Sequence, residues 1–314
     1  MGWFWNGKCS SKVRLEGKTA VITGCNTGIG KYTVLDLYLR GARVVMACRD
    51  VSKAETAREW VLQQSKDKEG AGEISVCHLD LSSLNSVRQC AQKILDEEKN
   101  IHLLINNAGV MMCPRSVTED GYELQFATNH LGHFLFTLIL LPKIISSAPA
   151  RIVNVASMAH ILCRSMYFDD INMENCGFYT PQKSYARSKM ANILFTRELA
   201  RRLKDTGVTA YSLHPGVVDT ELSRHLDKTI FPGARWFFHN FGGMFMKSPL
   251  QGAQTTLYCA LEESLAQESG LYYDDCQVAK TTSMGRDDEL AKKLWDVSLD
   301  MVKYSPPPPF GKSA

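Results

Sequence analysis

Short apolar runs recur along the chain at Thr19–Thr23, Arg43–Ala47, Ile74–Leu79, His102–Ile105, Arg151–Val155, Thr209–Leu213 and, more briefly, Leu271–Tyr273. Each is rich in β-branched residues and almost continuously apolar rather than alternating. Strands covered on both faces carry that pattern. Helical signals fill the intervals. Lys31 to Arg40 reads as a helix, Ser52-x-x-Glu55 as a capping box ahead of Ala57–Gln64, and Leu290, Leu294, Val297 and Met301 keep one helical face apolar. Strand–helix alternation of this kind predicts an α/β fold. The expected architecture is a single doubly wound parallel sheet of about seven strands with right-handed crossovers and helices on both faces.

Two stretches break the rhythm. Met158 to Ser184 is a long polar-aromatic connection containing Gly177 and Pro181. Val217 to Pro249 carries Phe231, Trp236, Phe237, Phe238, Phe241, Met244, Phe245 and Met246. Connections this long in a compact domain are functional or hold small helices. The expected organisation is a tail over residues 1–17 and one domain over 18–304. Insertions fall near 158–184 and 217–250, and a Pro-rich, extended tail covers 305–314.

Composition narrows the function classes. Apolar residues make up 45% and charged residues 22%, ordinary for a globular chain. A formal net charge of +3 with scattered Lys and Arg gives no footprint for nucleic acid. The ten cysteines form no C-x-x-C pair, and Cys48, Cys77 and Cys259 lie in apolar segments, as buried free thiols of a reducing compartment do. No metal site is expected: His130 and His133 form an i, i+3 pair without an accompanying carboxylate motif. Leu135–Leu141 is too short an apolar run to span a bilayer, and neither a signal peptide nor a transmembrane helix is expected. The expected location is cytoplasmic. Trp3-Phe4-Trp5, with Lys8, Cys9 and Lys12 beside it, leaves two readings of the N-terminus: a frayed tail, or peripheral contact with an intracellular membrane.

The most informative stretch follows the first apolar run: Thr23-Gly24-Cys25-Asn26-Thr27-Gly28-Ile29-Gly30, leading into a helix. A glycine-rich turn between strand and helix leaves bare backbone N–H groups at a helix N-terminus, where a pyrophosphate can sit. The second run ends Cys48-Arg49-Asp50. NAD-preferring sites carry an acid near this strand end, which binds the ribose 2′-hydroxyl. Cys48 occupies that position, and the Arg49 guanidinium suits a 2′-phosphate, so NADP is expected. The rival is Asp50 turning inward to take the ribose. Asp80, followed by Leu81, ends the third run, where its carboxylate serves either an adenine amino group or a helix cap. Asn106-Asn107-Ala108-Gly109 ends the fourth, where small residues let a cofactor lie against the backbone.

Tyr185-Ala186-Arg187-Ser188-Lys189 places a phenol and an ammonium on one helical face. A lysine near a tyrosine is expected to favour phenolate and lower its pKa from about 10, making it usable as a proton donor or acceptor. Ser157 follows the fifth run, at the end of the sheet that faces a ligand crevice, and could bond a carbonyl oxygen or simply cap a turn. Asn129, within an apolar helix, could hold water or a backbone carbonyl.

Taken in order, these features resemble a short-chain dehydrogenase/reductase of the classical subfamily, with its Rossmann-type fold. The likeness runs from about Lys18 to Tyr273. It is greatest to the retinol dehydrogenase 11–14 group, especially insect retinol dehydrogenase 12-like proteins. The segments Lys18–Gly24, Ala47–Asp50, Leu104–Met112, Asn129–Phe134 and Leu213–Val218 carry it. The resemblance implies that Tyr185 is the acid/base, that Lys189 lowers its pKa and holds the nicotinamide ribose, that Ser157 orients the substrate oxygen, and that Asn129 holds a relay water. It implies that Gly24, Gly28 and Gly30, with Asn26, Thr27 and Ile29, shape the pyrophosphate turn. Asp80, Leu81, Asn107, Ala108 and Gly109 would line the adenosine side, and Pro215, Gly216, Val218 and Thr220 would hold the carboxamide. Vertebrate members of the group usually carry an N-terminal membrane helix, and none is expected here.

The function so implied is NADP(H)-dependent interconversion of a hydrophobic alcohol, retinol in the first instance, and its aldehyde or ketone. The alternatives are a broad carbonyl reductase or farnesol-like isoprenoid alcohol dehydrogenase, and a non-catalytic NADP-binding scaffold. The expected partner is a hydrophobic small molecule, not nucleic acid, with a homo-oligomer left open. The apolar stretch from Phe231 to Met246 is expected to cap the substrate or pack against the body or a second subunit.

Overall fold

The apolar runs do form strands, and they assemble around one sheet. The structure is a computed structural model that describes residues 7–66, 68–175, 179–218 and 246–305. The elements are β1 (Thr19–Thr23), α1 (Gly28–Leu39), β2 (Arg43–Cys48), α2 (Val51–Gln64), β3 (Glu73–His78), α3 (Leu84–Glu97) and β4 (Leu103–Asn106). They continue with α4 (Leu124–Ser146), β5 (Ala150–Val155), α5 (Pro181–Arg202), β6 (Val208–His214), α6 (Pro249–Leu261), β7 (Tyr272–Asp274), β8 (Gln277–Val278) and α7 (Asp288–Val302). The strand order is β3-β2-β1-β4-β5-β6-β7-β8. Every neighbouring pair is parallel except β7 with the edge strand β8. The order reverses between β1 and β4, so their C-terminal ends open a crevice there, the place where doubly wound sheets take ligands.

Both faces of the sheet are buried, which explains the unbroken apolar runs. Val21, Leu104, Ile152 and Ala210 point into one layer with Phe134, Phe136, Leu194 and Trp295. Their neighbours Ala20, Ile22, Leu103, Ile105, Val153 and Tyr211 point into the other, against Val34, Leu37, Ala253 and Leu257. Burying a large aliphatic side chain contributes about 1.5–3 kcal/mol, so dozens of such positions dominate the fold's stability.

Local expectations need correction in places. The first crossing helix begins at Gly28, not Lys31, so the glycine turn runs straight into it. Ser52 does not cap α2. Asp50 does, its carboxylate accepting from the Lys53 amide at 3.0 Å, while Glu55 pairs with Arg58. Residues 8–17 form neither helix nor strand, yet they are anchored. Leu15 N–H donates to Arg40 O (2.8 Å), Cys9 N–H to Gln254 Oε1 (3.2 Å), and both side chains enter the core. A buried Cys9 thiol is covered rather than offered to a lipid. Cys48, Cys77 and Cys259 are buried free thiols, with Cys48 Sγ 3.7 Å from Cys25 Sγ and Cys77 Sγ 3.3 Å from Cys90 Sγ.

The 158–184 insertion holds two short 3₁₀ turns, Met158–Leu162 and Phe168–Asp170. Trp3, Phe4, Trp5, Gly177, Thr220, the aromatic run from Phe231 to Phe245 and Pro306–Pro309 lie outside the described residues. Leu124–Ser146 is the one described helix long and apolar enough to cross a bilayer, and 89% of its most apolar window is buried inside the fold.

Candidate active site

The turn between β1 and α1 is shaped for close approach. Gly24 and Gly28 adopt φ of +61° and +53°, and a Cβ on Gly24 would fall 2.6 Å from Ala108 Cα, so only glycine fits there. Asn107 locks β4 to this turn. Its Nδ2 donates to Thr23 O (2.9 Å) and Gly24 O (3.0 Å), while the Asn107 and Ala108 amides both donate to Thr23 Oγ1. Thr27 stands at the N-cap of α1 without a side-chain hydrogen bond to the helix. The helices that start from Asp50, Ser83, Glu123, Thr180, Ser248 and Asp287 are all capped by those side chains. The first turn of α1 therefore presents backbone donors that no side chain answers. This is the donor set a dinucleotide pyrophosphate needs, and the residues fit one.

At the end of β2, Cys48 is buried and Arg49 is exposed, with no hydrogen bond or ion pair among the described residues. Asp50 is committed to capping α2. Asp80 uses Oδ1 to accept from the Ser82 amide (2.9 Å) and hydroxyl (2.6 Å), bracing the turn before α3, whose cap is Ser83. Leu81 is buried beneath Gly132, where a Cβ would lie 2.5 Å from Leu81 O.

The chemistry-bearing residues meet at the C-terminal ends of β4 and β5. A π-turn over Ala127–Leu131 interrupts α4 and carries Asn129. Asn129 Oδ1 accepts from Val110 N–H (2.8 Å), and Nδ2 donates to Val110 O (2.9 Å) and Ser188 Oγ (2.9 Å). On α5, capped by Thr180 and led by Pro181, Tyr185 and Lys189 are both buried, with Lys189 Nζ 5.7 Å from the Tyr185 ring centre. Ser157 lies close enough to the Tyr185 hydroxyl to lower its pKa. Lys189 Nζ donates to Val155 O (3.0 Å). A Cβ on Gly109 would lie 3.3 Å from Asn129 Oδ1 and 3.5 Å from Lys189 Nζ, so Gly109 joins the β4 end to this group. Asn129, Ser157, Tyr185, Lys189 and Gly109 are thus brought together.

Electrostatics here differ from the sequence expectation. Burial pushes the Tyr185 phenol up to about 12, opposed by nearby Ser157, and pushes the Lys189 ammonium down to about 8. Desolvation outweighs the lowering by Ser157, and the phenol carries its proton at neutral pH.

Pro215, Gly216 and Val218 follow β6. Val218 bridges to Lys247, and its side chain and that of Ile29 both crowd Gly252, bringing this loop to the start of α1. His130 and His133 are engaged separately, with Ser298 Oγ (2.9 Å) and Thr23 Oγ1 (2.8 Å). Among the described residues no group of three His, Cys, Asp or Glu could hold a metal.

One residue escaped the sequence reading. Glu123 is buried and caps α4 through the Gln125 and Phe126 amides. It also accepts from Tyr179 Oη (3.1 Å) and Ser184 Oγ (2.5 Å), and Arg187 lies 4.0 Å away. It thereby ties the Asn129 helix to the residue preceding Tyr185. An acid opening an apolar helix was the available signal.

The family model for short chain dehydrogenases matches residues 18–167 and 177–230. Retinol dehydrogenase 11 of Mus musculus is 50% identical over 297 residues, covering 95% of this chain and 90% of that protein. Retinol dehydrogenase 13 of Homo sapiens is 44% identical over 304 residues, covering 96% and 89%. A crystal structure of an uncharacterized protein from Mycobacterium Paratuberculosis superposes with a TM-score of 0.73 at 33% identity, covering 96% of this chain and 98% of that one. The chain belongs to the short chain dehydrogenase family, nicotinamide-nucleotide oxidoreductases acting on alcohols and their carbonyl counterparts.

Proposed function

We propose that this protein is an NADP(H)-dependent oxidoreductase interconverting retinol, or a similarly apolar alcohol, and its aldehyde. The observation that carries the reading is a buried phenol, Tyr185, with Ser157 close enough to lower its pKa, sharing a helix face with buried Lys189. A binding scaffold has no need of such a set. In the reductive direction Ser157 donates a hydrogen bond to the substrate oxygen and Tyr185 delivers its proton to that oxygen as negative charge develops. Lys189 stabilises the phenolate left behind. Asn129, fixed by its three hydrogen bonds, holds the inner end of the path by which the phenol regains a proton. Oxidation of the alcohol runs the same path backwards.

Nucleotide would lie along the α1 turn, with Asn26, Thr27, Gly28, Ile29 and Gly30 at the pyrophosphate and Asp80, Leu81, Asn107 and Ala108 at the adenosine. Pro215, Gly216, Val218 and Thr220 would stand at the carboxamide, and Lys189 at the ribose. When bound it supplies the hydride. The preference for NADP rests on Arg49 and Asp50. The guanidinium is exposed and uncommitted among the described residues, while the adjacent acid, Asp50, is spent on a helix cap. The retinoid assignment rests on relatives named retinol dehydrogenases at 44–50% identity.

A panel of retinal, short aldehydes and farnesal, run with NADPH and followed by loss of nicotinamide absorbance, tests the reading. Retinal should be preferred. Turnover of retinal no faster than of a generic aldehyde would refute the retinoid assignment and leave a broad carbonyl reductase. Faster turnover of farnesal would give an isoprenoid alcohol dehydrogenase. Tyr185→Phe should bind NADPH but lose 10²-fold or more in turnover, on the order of general acid–base catalysis. Unchanged turnover would remove Tyr185 from the mechanism.

A further inference from the structure

Thr23, His133 and Asn129 form a buried chain of hydrogen bonds whose direction the geometry fixes. Thr23 Oγ1 accepts from two amide donors, Asn107 N–H (3.0 Å) and Ala108 N–H (2.9 Å). Both lone pairs of the hydroxyl oxygen are taken, so its own proton must go elsewhere. The remaining neighbour is His133 Nε2 at 2.8 Å, which must accept. A neutral imidazole that accepts at Nε2 carries its proton at Nδ1. Nδ1 lies 3.1 Å from the Asn129 main-chain oxygen and donates to it. The three residues are almost wholly buried, and burial keeps the imidazole neutral, its pKa near 4. The imidazole also lies within electrostatic reach of the Lys189 ammonium.

The two ends of this chain differ in kind. Thr23 closes β1, and its hydroxyl holds the Asn107–Ala108 backbone against the glycine turn. The other end is the backbone of Asn129 in the π-turn, whose side chain grips Val110 and Ser188. We propose that His133 is a positioning residue that couples the two halves of the site, setting the nucleotide turn through Thr23 and the Asn129 backbone through its other ring nitrogen. This rests on the functional reading above, and gives His133 two separable duties, one toward nucleotide affinity and one toward turnover.

Two substitutions divide those duties. In His133→Asn the side-chain amide nitrogen occupies the place of Nδ1, so the bond to Asn129 O survives while Thr23 loses its acceptor. In His133→Gln the terminal amide oxygen occupies the place of Nε2, so Thr23 keeps its acceptor while Asn129 O loses its donor. Losing one such buried partner is worth about tenfold. H133N should weaken NADPH binding, read by fluorescence titration, about tenfold and lower turnover at saturating nucleotide by a smaller factor. H133Q should do the converse, with thermal midpoints recorded for both.

Equal losses of affinity and turnover in both variants, in step with lowered midpoints, would mean that His133 merely supports the fold and would overturn the proposal. So would wild-type behaviour of both. If H133N does not fold, H133Q still decides, since the proposal requires its turnover to fall more than its affinity. If the wild-type protein reduces no carbonyl compound, the oxidoreductase assignment fails by itself. The affinity arm then decides for His133: weak binding by H133N with normal binding by H133Q supports the coupling, and equal binding refutes it.

Discussion

Replacing Lys189 with methionine should make the protein more stable while disabling it. Lys189 is buried, and burial lowers its pKa from 10.5 to about 8. At roughly 1.4 kcal/mol per unit, that displacement corresponds to a charge-burial penalty of about 3 kcal/mol in the folded state. The ammonium's hydrogen bond to Val155 O returns about 1 kcal/mol of this. That carbonyl is not orphaned by the substitution, because Asn192 Nδ2 also donates to it at 3.2 Å. Methionine fills nearly the same volume without a charge. K189M should therefore gain about 2 kcal/mol at pH 7, read by urea unfolding.

The pH dependence carries the sign. A lysine whose folded pKa lies below its unfolded value imposes its penalty in full below about pH 8, where both states bind the proton. Between there and 10.5 the unfolded chain binds more protons than the folded one, so wild-type stability rises relative to the variant. At pH 9.5 the penalty has fallen to roughly 1.4 kcal/mol, and the advantage of K189M to about 0.5 kcal/mol. Turnover at neutral pH should drop by 10²-fold or more, the gap to wild type narrowing above about pH 8 as Lys189 loses its proton. A K189M protein less stable than wild type at pH 7, with a gap indifferent to pH, would refute the reasoning, because the lysine would then be a net structural support.

Arg49→Ala should raise the KM for NADPH by about 10- to 100-fold, the range of a lost charge-assisted contact, and leave that for NADH almost unchanged. An equal change for both nucleotides would mean that Arg49 does not read the 2′-phosphate. Carbonyl reduction should hold steady through neutral pH and fall as pH rises through about 8, where Lys189 loses its proton while the phenol, held near 12, keeps its own. A reductive profile flat to pH 10 would disconnect Lys189 from the rate.

The parts of the site that sequence made legible are those whose signal is local. Apolar runs without alternation could only be strands covered on both faces, and Gly24 and Gly28 announced a turn that other residues would strain. Tyr185 and Lys189 share a face because four residues make roughly one helical turn. What escaped needed partners remote in the chain, or an environment no pattern records. The edge strand Gln277–Val278 is two residues long and leaves no run to read. The cap of α2 went to Asp50 because its short carboxylate reaches the Lys53 amide from outside the helix, a contest that spacing alone cannot judge. The sign of the Tyr185 shift depended on how deeply α5 is buried, so a lysine four residues away suggested the opposite direction. His133 is the clearest case. Its helical spacing from His130, with no carboxylate motif beside it, assigned it no role, yet its partner Thr23 lies 110 residues earlier, and only the fold brings that hydroxyl within 2.8 Å. The family motif specifies which groups act, whereas the fold specifies which protons they hold. For a reaction built on proton transfer the second sets what each group must do first: a phenol that keeps its proton at neutral pH can act at once as the acid towards a carbonyl oxygen, and must give that proton up before it can act as the base towards an alcohol.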